Sequence, residues 1–356
     1  MLKKTFSLFL VSFLAFSCAS NVNNIDNLDI LENQEISALA TKQGANSFMC
    51  VSMPTGGDSE IVKVFNLQTK ELTSLPVPGS VQDMAFDENI IYVSSKSAEY
   101  YSLFKIDTKT KQISRILLFS QLGIKPSDFL VDKTNVYVSG KRSGAGVFYV
   151  NDLIKNEWKA IANNISAGKI TFGFDQDSYH VISFDDTYVS KTVVNIKTNQ
   201  ITSRKNIEHK IPFGNNVFVA APHGNYVYIL HQLQDSFIPY AINVKQGSVT
   251  KFDPIKTDGG LLYSAIVSND GKHLLANVNR EIYHYKLEGD KLTALPKITL
   301  ETPESRNMAM LSDNLTLYVT HDTGANMTSL KFSPDLKKYT VSPVYLGGSS
   351  NQIFVF

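Results

Sequence analysis

A turn that returns seven times, a chain made almost wholly of short β-rich runs, and an incomplete unit at each end predict one fold class. It is all-β, a seven-bladed β-propeller of four-stranded blades, closed by the C-terminal strand joining the N-terminal blade. The unit is plainest from Ser80 to Leu117. Met84-Ala85-Phe86 is a short apolar run, the pattern of a strand buried on both faces. Asp87-Glu88-Asn89 supplies turn residues, and Ile90-Ile91-Tyr92-Val93 is β-branched and aromatic, a second strand. Tyr101 to Ile106 alternates more and predicts a third strand with a wetter face. After the polar turn Asp107 to Lys111, Gln112 to Leu117 is the fourth and most polar strand. One such sheet has no core of its own and must stack its faces on neighbours.

The turn after the third strand is the landmark. It occurs at Asn66-Leu67-Gln68-Thr69, Asp107-Thr108-Lys109-Thr110, Asn151-Asp152, Asn195-Ile196-Lys197-Thr198, Asn243-Val244-Lys245-Gln246, Glu288-Gly289-Asp290 and Ser333-Pro334-Asp335. The spacing is roughly 40–48 residues, within the range of propeller blades. Blade 1 begins at Phe48-Met49-Cys50-Val51, a second strand with no first strand before it. The chain finishes on Gln352-Ile353-Phe354-Val355-Phe356, a first strand with nothing after it. Joining the two closes the ring and removes free edges.

In order, blade 1 takes Ser47 to Val77, blade 2 Ser80 to Gly123 and blade 3 Lys125 to Ala167. Blade 4 takes Gly168 to Phe213 and blade 5 Gly214 to Thr257. Blade 6 opens after Asp258-Gly259-Gly260, and blade 7 is Ser305 to Leu346. Trp158, the only tryptophan, falls in an outer strand and is expected to pack between blades; Cys50 is expected to be a small core residue.

Residues 1–17 read as a signal peptide: Lys3 and Lys4, then an apolar run from Phe6 to Phe16 too short to span a bilayer. Ala15-Phe16-Ser17-Cys18 resembles the lipobox of bacterial lipoproteins, departing from it at Phe16. The resemblance implies that Cys18 is lipidated (palmitate among its acyl chains) and becomes the mature N-terminus; the other reading is a plain secretory signal. Ala19 follows the cysteine, and by resemblance to proteobacterial sorting a residue other than Asp there implies the outer membrane. Residues 18–46 follow as lipidated cysteine and flexible tether, and 47–356 as the propeller. The polar stretch from Asn21 to Asn46, fully extended, reaches roughly 90 Å. The expected location is therefore the bacterial cell envelope, with the membrane face left open.

The net charge of +1 offers no footprint for nucleic acid, and no basic stripe or stacking platform is present. A glycine-rich phosphate loop, a GxSxG elbow and an HExxH helix are absent. Asp322-Thr323-Gly324 resembles an aspartic-protease triplet but has no second copy and reads as a turn.

Ile266 to Asn277 and Ser305 to Thr320 resemble the repeat of YVTN-type and lactonase-like propellers, a WD40-like ring. The resemblance is a hairpin feature of the fold and implies either a sugar-lactone hydrolase or a binding protein.

Aligning the blades puts Asp83, Asp128, Thr171, Asn216, Ser264, Asn307 and Gln352 at the start of each innermost strand, near one mouth of the channel. All seven are polar. They either form a ligand-binding ring or satisfy loop backbone groups at strand starts. His231, Arg306 and His321 fall near the same face and complete a candidate catalytic set with Asp83 and Asp128. No close metal-ligand spacing is present and no cofactor is expected; a divalent cation between Asp83 and Asp128 stays open. The leading functional expectation is a monomeric, membrane-tethered binding or scaffold module for a protein or glycan partner. The alternative is a lactonase-like hydrolase with its site at the channel mouth.

Overall fold

The computed structural model describes residues 48–55, 58–87, 89–98, 100–131, 135–163, 169–172, 178–184, 188–195, 197–198, 200–209, 211, 218–223, 225–268, 270–301, 305–311, 313–321, 326–334, 336–346 and 353–355. Cys18, the tether, Asn216, Gln352 and the 322–324 turn lie outside the described residues.

Seven antiparallel sheets follow one another along the chain. The innermost strands of blades 2 to 7 are Ser80–Asp87, Ile124–Val131, Lys169–Phe172, Phe218–His223, Leu262–Val267 and Ser305–Met310. Blade 1 takes its innermost strand from the C-terminus: Ile353–Val355 pairs with Phe48–Pro54 through Val51↔Ile353, Cys50↔Phe354 and Met49↔Val355. Inner strands of successive blades lie side by side, 2 against 3, 3 against 4, 5 against 6, 6 against 7, and 7 against the closing strand. The outer strand is split in blades 5 and 6, around Pro254 and Pro296. Proline has no N–H for the ladder and is confined to such interruptions and edges.

Each seam between blades holds an apolar cluster. In blade 2, Met84, Phe86, Ile91, Val93, Phe104 and Ile106 pack toward Cys50, Val62 and Val64 of blade 1. Their neighbours Ala85, Tyr92 and Leu103 pack toward Phe129, Val136 and Val138 of blade 3. The third strand thus buries both faces at Leu103, Phe104 and Ile106, and the wetter face expected of it is absent there. The strand sits between two neighbouring blades, so alternation in its sequence marks which blade each side chain meets. Phe119, in a single 3₁₀ turn linking blades 2 and 3, meets Trp158 edge-on, with 6.1 Å between ring centres. Cys50 is fully buried and burial raises its thiol pKa far above the usual range.

Five of the seven landmark turns share one chemistry. The side-chain oxygens of Asn66, Asp107, Asp152 and Asn243 each accept two backbone N–H groups from the residues two and three positions on, at 2.9–3.0 Å. Asn195 accepts the Thr198 N–H at 2.9 Å. These Asx-turns explain why Asn or Asp recurs there. Hydrogen bonds from the turn N–H groups hold the Asp107 and Asp152 carboxyls below their ordinary pKa.

At the seam of blades 6 and 7, His273 Nδ1 and His284 Nε2 lie 3.0 Å apart, and the His284 ring packs 5.8 Å from Phe332. One imidazole N–H serves both rings, which favours the pair uncharged. Burial, with His273 adding to it, pushes the His284 pKa down to about 4.

Two outcomes follow for stability. Ile353→Ala, which removes a buried group where Met49, Val51 and Leu346 meet, is expected to cost about 2–5 kcal/mol in denaturant unfolding. Because the folded pKa of His284 lies below the unfolded value of 6.5, the unfolded chain takes up the proton first as pH falls. The melting temperature is therefore expected to drop from pH 6.5 toward 4, and His284→Phe to flatten that drop.

Candidate functional site

The polar positions aligned from sequence coincide with a repeated irregularity of the inner strands. The register slips between Val81 and Asp83, Pro126 and Asp128, Leu262 and Ser264, and Ser305 and Met308. A β-bulge sets two residues against one, raises the local twist and re-aims side chains. Asp83, Asp128 and Ser264 stand directly after the bulge, opposite Ser94, Ser139 and Asn277 of the second strand. Asn307 lies within its bulge, and Thr171 pairs with His180 on an unbroken ladder.

The described members of this set differ in how open they are. Asp83 is half-buried, and its Oδ1 accepts the Met84 N–H at 2.9 Å. Asp128 is buried. Ser264 Oγ is buried and makes no hydrogen bond among the described residues. The Asn307 N–H donates to Thr320 Oγ1 at 3.0 Å.

The two histidines do not lie on the surface: His231 is 1% exposed and His321 0%. His321 sits opposite Ser305, with Nε2 2.7 Å from Thr328 Oγ1. Burial lowers the pKa of both rings, aided for His231 by the charge of Lys251, so both are neutral at pH 7. The Arg306 guanidinium lies 4.6 Å from the centre of the Tyr263 ring, a cation–π contact between blades 7 and 6.

Sequence reading missed the residues that bind these strand ends together. Asn277 Nδ2 donates to the Arg306 carbonyl at 3.1 Å, and the Ser305 hydroxyl is shared between Asn277 Oδ1, 2.5 Å away, and the Asn279 carbonyl. Gln232 Nε2 donates to the Gly260 carbonyl at 2.8 Å, and its Oε1 accepts the Leu262 N–H at 2.5 Å. In both cases a polar residue near the end of one blade's second strand clamps the start of the next blade. The available signal was a polar end to an apolar run, Leu274-Leu275-Ala276-Asn277 and Ile229-Leu230-His231-Gln232.

Chemically, the starts of the inner strands carry half-buried Asp83 in blade 2, buried Asp128 in blade 3 and the guanidinium of Arg306 in blade 7. Among the described residues, no three His, Cys, Asp or Glu side chains converge on a metal position.

No protein-family model matches the chain, and no curated protein matches it. Solved structures do resemble it. A candidate 6-phosphogluconolactonase from Bacteroides fragilis superposes with a TM-score of 0.63 at 13% identity, over 88% of this chain and 99% of that one. The periplasmic gluconolactonase of Pseudomonas aeruginosa gives 0.60 at 10%, over 86% and 98%. A hypothetical selenium-binding protein from Sulfolobus tokodaii gives 0.64 at 12%, over 90% and 95%. At such identities the likeness is one of fold, a seven-bladed propeller shared by lactonase-like proteins and by a protein described quite differently.

If Asn277 is a clamp between blades, Asn277→Ala is expected to cost about 1–3 kcal/mol in denaturant unfolding, since it leaves buried partners unsatisfied. An unchanged unfolding midpoint would remove it from that role.

Proposed function

We propose that the chain is a binding or scaffold propeller of the bacterial envelope, anchored through lipid on Cys18 and held off the membrane by residues 18–46. The observation that best supports this reading is the condition of the polar groups at the channel mouth. Asn277, Ser305, Thr320 and Gln232 are engaged in hydrogen bonds that join strand ends, and His231 and His321 are buried and neutral. A hydrolase needs a base and an electrophile within reach of one substrate atom. Asn277, Ser305, Thr320 and Gln232 serve the ring instead, and partner contacts fall to the loop faces.

The second reading is a lactonase-like hydrolase. It is favoured by the likeness in shape to the Pseudomonas gluconolactonase and the Bacteroides protein. In that reading Asp83 or Asp128 would act as base toward water, and Arg306 would polarise the lactone carbonyl.

Two measurements on the full-length protein separate the readings. Cross-linking in the native cells, with capture through the propeller, is expected to recover one dominant envelope partner that is lost when loops on one face are substituted. Hydrolysis of aldonolactones is expected to stay at the buffer rate. Turnover above that rate, abolished by Asp128→Asn with an unchanged melting temperature, would overturn the binding role in favour of the enzyme. A Cys18→Ser variant is expected to lose palmitate labelling and partition into the soluble fraction.

A further inference from the structure

We propose a second ligand site, away from the channel mouth: the cleft between blades 1 and 2, whose chemistry fits a sugar bearing a carboxylate or phosphate. The cleft encloses about 590 Å³, within the ~300–1,000 Å³ of small-molecule sites and enough for a mono- or disaccharide. Pro78 of blade 1 forms one wall, and Phe104 and Leu118 contribute apolar surface from blade 2. The Pro78 wall is fixed. The Ser95 hydroxyl donates to the Pro78 carbonyl at 2.7 Å, and a Cβ on Gly79 (φ +84°) would come within 2.6 Å of the Lys96 carbonyl oxygen.

The polar side chains here are delivered by the ladder. Ser97 pairs with Tyr100, and Ser95 with Ser102, which places hydroxyls side by side on one face. On the outer strand, Leu118 opposes Ser102, so an unbroken ladder would set Ile116 opposite Phe104. A register shift sets Arg115 there instead. The bulge therefore brings a guanidinium to the face that regular pairing would give to isoleucine.

These groups are also unspent. Among the described residues, the side chains of Arg115, Tyr100, Ser97 and Ser102 make no hydrogen bond or ion pair. The contrast with the other end of the same seam is direct: there a smaller cleft of about 200 Å³ has its Lys111 paired with Glu71 at 2.6 Å. Tyr100 is 60% exposed and offers an aromatic face. A flat ring takes the apolar face of a pyranose, serine hydroxyls match ring hydroxyls, and a free guanidinium takes a planar carboxylate or a phosphate in a two-pronged contact. A neutral sugar would leave Arg115 unanswered, and a larger polyanion would meet only one cation in the cleft.

The assignment rests on the binding-module reading and gives it a ligand class. The test is calorimetric titration of the full-length protein in detergent with glucuronic acid, glucose 6-phosphate and glucose. Saturable binding of at least one anionic sugar, with glucose at least tenfold weaker, is expected; which anion binds tells carboxylate from phosphate. Arg115→Gln and Tyr100→Ala are each expected to weaken it at least tenfold with an unchanged melting temperature, and Asp128→Asn to leave it unchanged. Binding of neither anion, equal binding of glucose, or binding that survives Arg115→Gln would overturn the site. Partner cross-linking on the unsubstituted protein is read in parallel. A partner captured while neither sugar binds overturns the cleft alone, and failure of both overturns the binding module as well.

Discussion

A four-stranded antiparallel sheet with apolar residues on both faces cannot be stable alone, and everything else in this molecule follows from that. Met84 and Phe86 face blade 1 while Ala85, between them, faces blade 3. No single blade can bury both sets. Each fully buried Val, Ile or Phe side chain is worth about 1.5–3 kcal/mol over its exposed form, and that gain exists only when the next blade is in place. The ring must therefore close, and the last strand sets Ile353 among Met49, Val51 and Leu346, where blades 7 and 1 meet.

Seams of this kind also dictate where polar groups go. The inner strands start where one blade ends and the next begins, so their first backbone groups are buried without a regular ladder to satisfy them. Asn277, Gln232 and Thr320 answer that need. A buried polar group left unmade costs more than a made one contributes. A ring of polar residues around a propeller channel is thus first a structural requirement. It becomes evidence of catalysis only when a group remains over after the strand ends have been served. That distinction is why likeness to lactonase structures at 10–13% identity informs the fold and not the reaction.

Much of the architecture was legible because it is written in repeated local chemistry. The Asx-turns at Asn66, Asp107, Asp152, Asn195 and Asn243 need a short side-chain acceptor at one fixed position, so they recur visibly in the sequence. The apolar triplets recur for the same reason. Reading Tyr101 to Ile106 as half wet failed because alternation means one buried face only in a sheet with one neighbour. In a propeller both parities are buried, and Leu103 and Phe104 belong to different seams. His231 and His321 were legible as equivalent in position, following Tyr228-Ile229-Leu230 and Tyr318-Val319-Thr320, but not as buried. Burial there depends on the adjacent blade, which no local pattern encodes.

The residues hardest to read are those whose facing is set by a bulge. Period-two reasoning assigns Arg115 and Leu118 to opposite faces of their strand, since they differ in parity. The register shift between Leu103 and Phe104 puts both on the cleft side. The same device recurs at Asp83, Asp128, Ser264 and Asn307, where the inner strands bulge. A bulge interrupts the backbone ladder without adding buried apolar surface, so stability alone gives little reason to keep one. On the inner strands the crowding of seven sheets toward one axis supplies a reason, because the extra twist lets the strand ends splay apart. The third and outer strands slip in register in blades 2, 3 and 4 alike, between Leu103 and Phe104, Phe148 and Tyr149, and Val193 and Val194. What is particular to blade 2 is that its shift sets an unpaired guanidinium in one cleft with an exposed tyrosine, and that placement is a property a ligand can use.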